Sequence, residues 1–177
     1  LACDSVSREI LLSHHYRCND RIIQFNNKKY YNGKLKICNY SKELHPLVFI
    51  DVPENKTYCK NTAPMEVNQI IKYASMNKDK SIGVITPFAN QKELINQELK
   101  DNELSNVSCG TVHAFQGDEK DVVLFSLALT EKTGMGTYEW LKNNKELINV
   151  AVSRAKDKLI VLSSAKELER LHANSED

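Results

Sequence analysis

Residues 121–128 read DVVLFSLA, from Asp121 to Ala128, a short apolar run whose Val and Phe suit a buried β-strand. Four other runs of the same kind surround it. They are PLVFIDV (Pro46 to Val52), SIGVITP (Ser81 to Pro87), VSCGTV (Val107 to Val112) and KLIVLS (Lys158 to Ser163). Several are apolar on both faces, the pattern of a parallel sheet covered by helices on each side.

The segments between them carry helical spacing. Pro64 to Met76 follows Thr62, a candidate N-cap, and Asn90 to Leu99 places Leu94, Ile95 and Leu99 on one face. Asn19 to Tyr31 and Lys142 to Lys156 read as helices too, and Thr130 to Thr137, with Gly134 and Gly136 amid polar residues, reads as a loop. The βαβα alternation predicts an α/β fold, a three-layer sandwich with a mainly parallel sheet flanked by helices and joined by right-handed crossovers.

With 177 residues, 41% hydrophobic and 27% charged, the chain is of a size and composition for one globular domain spanning residues 1–177. Membrane, collagen-like and disordered classes are excluded on composition. No apolar run approaches the roughly 20 residues of a membrane span, and the first residues lack a secretory signal, so the expected location is cytoplasmic. The five cysteines (Cys3, Cys18, Cys38, Cys59, Cys109) are odd in number and form no C-x-x-C pair, which predicts reduced thiols and no structural zinc. A formal net charge of +1 offers no broad electrostatic attraction to a polyanion. Any nucleic-acid contact therefore has to come from local geometry.

A P-loop, G-x-x-x-x-G-K-S/T, is missing: Gly33 and Lys34 are followed by Leu35, with no glycine five residues before Gly33. Asp51 ends an apolar run, but Val52 follows where a second acidic residue would be wanted, so Asp51 reads as an ordinary strand-end residue. Gly134-Met135-Gly136 lacks the third glycine of a dinucleotide fingerprint. The five histidines show no metal-ligand spacing, and no metal site is expected.

Three segments carry chemistry. Leu11 to Leu35 sets aromatic and aliphatic residues around Arg17 at a helix start. Gly110 to Ser126 reads as a strand, a tight polar turn holding Gln116, Gly117 and Glu119, and another strand, with the turn at the strand end where α/β domains place ligands. In Leu147 to Lys156, Asn149 and Ser153 share a helix face, and Arg154 lies one step around.

Four ordered motifs emerge. The first reads Y-R-x-x-x-x-I-x-x-F-x-N-x-x-Y-Y-x-G-x-L from Tyr16 to Leu35, and the second T-P-F-x-x-Q from Thr86 to Gln91. The third reads T-V-H-x-F-Q-G-x-E-x-D-x-V from Thr111 to Val123, and the fourth N-V-A-V-S-R-A from Asn149 to Ala155. Together they closely resemble the second, C-terminal RecA-like domain of superfamily-one helicases, in the branch that includes the nonsense-mediated-decay RNA helicase. The resemblance spans about Leu11 to Ser163. Cys18 and Asn19 depart from the Met-His-Pro of eukaryotic members, and His113 stands where those members often carry aspartate.

The resemblance implies an ATP-dependent helicase or translocase motor in which ATP and Mg2+ are bound mainly by a RecA-like domain upstream in the same protein, outside this chain. By motif match, Arg17 and Arg154 are the arginine fingers, and Glu119, beside Gly117, accepts hydrogen bonds from the ribose hydroxyls. Gln116 and Asp121 read as structural polar groups. Thr86, Asn90, Thr111 and His113 are the candidate contacts to single-stranded DNA or RNA, made chiefly to phosphate and sugar. The resemblance also implies 5′ to 3′ translocation. The alternative is a non-catalytic RecA-like binding or scaffold module, against which the retention of both arginines argues.

Overall fold

The computed structural model describes residues 14–15, 19–30, 34, 36–37, 43–111 and 119–175. Its centre is a five-stranded, wholly parallel sheet made of β3 (Leu47–Asp51), β4 (Ile82–Thr86), β5 (Val107–Thr111), β6 (Lys120–Ser126) and β7 (Ala155–Ser163), in the order β3-β7-β6-β4-β5. The two-residue strands β1 (His14–His15) and β2 (Lys36–Ile37) pair with each other. The helices are α1 (Asp20–Tyr30), α2 (Pro64–Met76), α3 (Ala89–Asp101), α4 (Met135–Asn143), α5 (Lys145–Arg154) and α6 (Ala165–Ala173). No described helix is long and apolar enough to cross a membrane.

Strand periodicity of two divides the core into two layers. Ile82 and Val84, Val122 and Leu124, and Ile160 and Leu162 pack against Val67, Ile70 and Ala74 of α2 and Ile95 and Leu99 of α3. The alternate residues Ile85, Val123, Phe125 and Leu159 face Ile22 of α1, Leu141 of α4, Leu147, Ala151 and Val152 of α5, and Leu171 of α6. Crossover handedness explains this partition. β3 to β4 and β4 to β5 advance across the sheet in one direction, and β6 to β7 returns in the other, so right-handed connections place α2 and α3 on one face and α4 and α5 on the opposite one. The chain thus leaves neighbouring β4 and β6 toward opposite faces, and their carboxyl ends form a topological switch point, where open α/β sheets hold ligands.

Several expectations need correction. The expected helix Lys142 to Lys156 is two helices: Asn144 leaves helical geometry at φ −85° and ψ 66°, its backbone N–H and its side-chain Nδ2 both donating to the Trp140 carbonyl. α5 then stops at Arg154 because Ala155 already pairs with Lys120 in the sheet. Met135 to Thr137, expected in a loop, form the first turn of α4. Thr62 does not cap α2: Ala63 holds that position, Pro64 supplies the first helical residue, and the Thr62 hydroxyl donates to the Cys59 carbonyl. α6 was not foreseen at all. Asp51 behaves as the ordinary strand-end residue expected of it, accepting the Ala165 N–H at 2.8 Å where α6 begins.

Candidate functional sites at the two edges of the sheet

The predicted site residues that are described separate onto opposite edges of the sheet. The register pair Lys120 and Ala155 starts β6 and β7 side by side, so the residues immediately before them, Glu119 and Arg154, both lie at the amino edge. This corrects the expectation for Glu119, which was placed on a tight turn at a carboxyl strand end. β5 and β6 are parallel and flank β4, so Glu119 enters β6 at the edge opposite to Thr111.

At this edge the Glu119 carboxylate lies 4.0 Å from the Lys156 ammonium. The Lys156 carbonyl accepts the Asn19 N–H at 2.8 Å, while Asn19 Oδ1 accepts the Arg21 N–H at 3.0 Å and so caps α1. The start of α1 is thereby tied to the strand that follows Arg154. Arg154 itself is half-buried. Its Nε is sealed from solvent and has no hydrogen-bond partner among the described residues. A buried donor left unpaired costs about 1–3 kcal/mol, more on a charged group, so an orphan of this kind calls for an explanation. Asp121 is structural, as expected: its carboxylate accepts both the hydroxyl (2.7 Å) and the N–H (2.9 Å) of Ser81, which hold it below the usual carboxylate range. Arg17, His113, Gln116 and Gly117 lie outside the described residues.

At the carboxyl edge, Thr86 and Thr111 are the last register pair of β4 and β5. Thr111 is half-buried, whereas Thr86 is wholly buried, its hydroxyl accepting the Phe88 N–H at 3.4 Å and so shaping the turn into α3. Asn90, in the first turn of α3, is exposed and donates to the Lys60 carbonyl at 3.0 Å.

Behind these residues lies a buried polar network that sequence reading missed. Gln91 accepts the Ala63 N–H at 2.8 Å and donates to the Ser126 hydroxyl at 2.9 Å. Ser126 in turn donates to Glu66 at 2.6 Å, and the Ala128 N–H reaches the same carboxylate oxygen at 3.0 Å. Asn55 bridges the other oxygen of Glu66 (2.6 Å) to the Leu129 carbonyl (2.7 Å). Ala128 has a φ of 49°, a left-handed conformation that costs a residue with a Cβ about 1–2 kcal/mol. The bond to Glu66 helps hold it there. Burial pushes Glu66 up to about 7, against the opposing pull of the bonds from Ser126, Ala128 and Asn55. Only Gln91 of this network stood in a recognised motif. Glu66 and Asn55 have partners 60 or more residues away, and no local spacing announces them.

Residues 2–166 match the model of the AAA domain family. Among curated relatives, the DNA replication ATP-dependent helicase/nuclease DNA2 of Gallus gallus is 26% identical over 176 residues, which cover 91% of this chain and 17% of that protein. The RNA helicase Mov10l1 of Mus musculus is 27% identical over 187 residues, covering 88% of this chain and 15% of the relative. The chain therefore spans less than a fifth of each of these relatives. A solved structure, the C-terminal domain of a possible DNA helicase from Lactobacillus plantarum, superposes with a TM-score of 0.54 at 18% identity, covering 89% of this chain and 95% of that one, a likeness of fold. A family match over nearly the whole length, four motifs in order and a five-stranded parallel sheet agree, and the chain belongs to the AAA domain family as the second, C-terminal RecA-like domain of a superfamily-one helicase of the branch that includes the nonsense-mediated-decay RNA helicase.

Proposed function

We propose that this domain is one half of an ATP-driven helicase or translocase acting on single-stranded nucleic acid. Its amino edge closes on a nucleotide held by a P-loop domain upstream in the same protein, and its carboxyl edge carries part of the strand's track. The observation that carries this reading is the buried, unpartnered Nε of Arg154, at the edge where Glu119 also lies. Turned toward a phosphate oxygen brought to that edge, the guanidinium would gain the acceptor it lacks, and it suits the task because it stays charged and presents its donors in a planar fork.

Phosphoryl transfer is catalysed mainly by positioning and by neutralising charge on the transferred group, which is the part assigned to Arg154 and, by motif, to Arg17. Glu119, with Gly117, takes the ribose hydroxyls. Among the described residues no group of three His, Cys, Asp or Glu is placed to hold a metal ion, and the magnesium-binding acids are assigned to the upstream domain together with the P-loop lysine. The names of the relatives, an ATP-dependent helicase/nuclease and an RNA helicase, support the substrate class. At the carboxyl edge, Asn90 and Thr111 are assigned to the strand, His113 joins them by motif alone, and buried Thr86 serves by shaping the turn into α3.

Glu119→Ala tests the nucleotide edge in the complete protein. A ribose contact persists from ground state to transition state, so its loss raises KM for ATP about tenfold with kcat nearly unchanged. The KM for 2′,3′-dideoxy-ATP, which lacks both hydroxyls, is expected to stay where it was. Equal increases for the two nucleotides would assign Glu119 to its pairing with Lys156 alone.

A further inference from the structure

A cavity of about 490 Å³ opens at the carboxyl edge, between the first turns of α3 and α4, within the size range of roughly 300–1,000 Å³ typical of small-molecule sites. Trp140, Lys60, Asn90 and Thr137 are among the residues that line it, and none of the lining residues is a carboxylate. Trp140 is the one tryptophan of the chain, and it remains 45% exposed. Phe88 backs it at a centroid distance of 5.9 Å and a tilt of 37°, fixing the indole without covering it. A rigidly held, open aromatic face is costly to leave in water, and it is the kind of exposed apolar surface that marks a contact site.

The surroundings specify the contact. No side-chain hydrogen bond caps the N-terminus of α3 or of α4, and Ala89 and Asn90 of the one and Gly136 and Thr137 of the other line the cavity together with Lys60. An aromatic platform beside a cationic rim with no opposing carboxylate matches a nucleotide unit, with its flat base and its phosphate. Asn90, already assigned to the track, lines the same cavity.

We propose that Trp140 is a base-stacking platform of the track: one base of the bound single strand lies on the indole, with its phosphate toward Lys60 and the two helix starts. This rests on the reading of the carboxyl edge as part of the track. Every base has a π-face, so the contact holds the strand without selecting its sequence.

The test uses the complete protein and two fluorescent 15-nucleotide probes, oligothymidylate and a strand of the same length carrying only abasic sugars. Trp140→Ala is expected to weaken oligothymidylate binding about tenfold and to leave the abasic strand's affinity unchanged, and Trp140→Phe to restore most of the loss. The abasic affinity, measured on the same Trp140→Ala protein, reports that the rest of the edge is intact. An equal loss on both strands, or no loss on either, would overturn the stacking assignment while leaving the track. Failure of the unaltered protein to bind either strand would remove the track reading itself.

Discussion

Arg154→Ala in the complete protein is expected to lower nucleic-acid-stimulated ATP hydrolysis about a thousandfold, or roughly 4 kcal/mol, while nucleotide affinity changes little. The asymmetry follows from the role. An arginine that meets charge developing on the transferred phosphate acts mainly on the transition state, so its removal lowers kcat rather than raising KM. An ordinary helix-surface arginine would cost well under about 1 kcal/mol. Arg170→Ala is the comparison: its guanidinium binds Glu167 at 2.6 Å and the Thr133 carbonyl at 3.0 Å, so it holds the loop after β6 and not the nucleotide edge. Turnover of Arg170→Ala should remain near that of the unaltered protein at temperatures where both are folded. By the motif resemblance, Arg17→Ala behaves as Arg154→Ala does. Unchanged turnover in folded Arg154→Ala would dismiss the finger and favour a non-catalytic scaffold.

A second large effect is expected in stability against pH, from Glu66. Its carboxyl rises from an ordinary 4.5 to about 7 on folding, because wholly buried surroundings penalise the charged form. Between those values the folded chain keeps a proton that the unfolded chain has released, so stability falls as pH rises through this window. The change amounts to about 3 kcal/mol across it. Urea unfolding at pH 5 and pH 8 should show that loss in the unaltered protein and a much flatter profile in Glu66→Gln, which has no charge to bury. Parallel profiles for the two would contradict the assignment. The carboxylate charge matters locally because Glu66 holds Ser126 and the left-handed Ala128, where β6 leaves the sheet at the switch point.

The strands were legible because each is a compact apolar run, and buried parallel strands need apolar residues on both faces. All five main strands overlap the expected runs, with β6 starting one residue early at Lys120 and β7 three residues early at Ala155, and α2 has the expected limits, Pro64 to Met76. What local spacing could not supply was the competition between elements. Lys142 to Lys156 keeps helical periodicity throughout, yet sheet pairing claims Ala155 and Lys156 for β7. For α6 the signal was present in Ser164-Ala165-Lys166-Glu167, a capping-box spacing, and Ser164 does accept the Glu167 N–H at 3.3 Å. It lay beyond the last recognised motif.

The candidate sites were legible as residue types but not as places. Motif order put Glu119 and Thr111 in one segment, and the parallel topology sends them to opposite edges of the sheet. Asn90 kept the exposure a strand contact needs, whereas Thr86 is buried. Trp140 belongs to no motif, and its significance depends on Phe88 and Lys60, which only the fold brings to it.

The most direct test of the central claim, that this domain completes a nucleotide site it does not itself contain, compares magnesium-dependent ATP turnover in the complete protein and in these 177 residues alone, each with and without single-stranded nucleic acid. The expected result is turnover by the complete protein that rises on adding the strand, and none above buffer by the domain. Turnover by the domain alone, abolished by a substitution within it, or a complete protein indifferent to the strand, would contradict it.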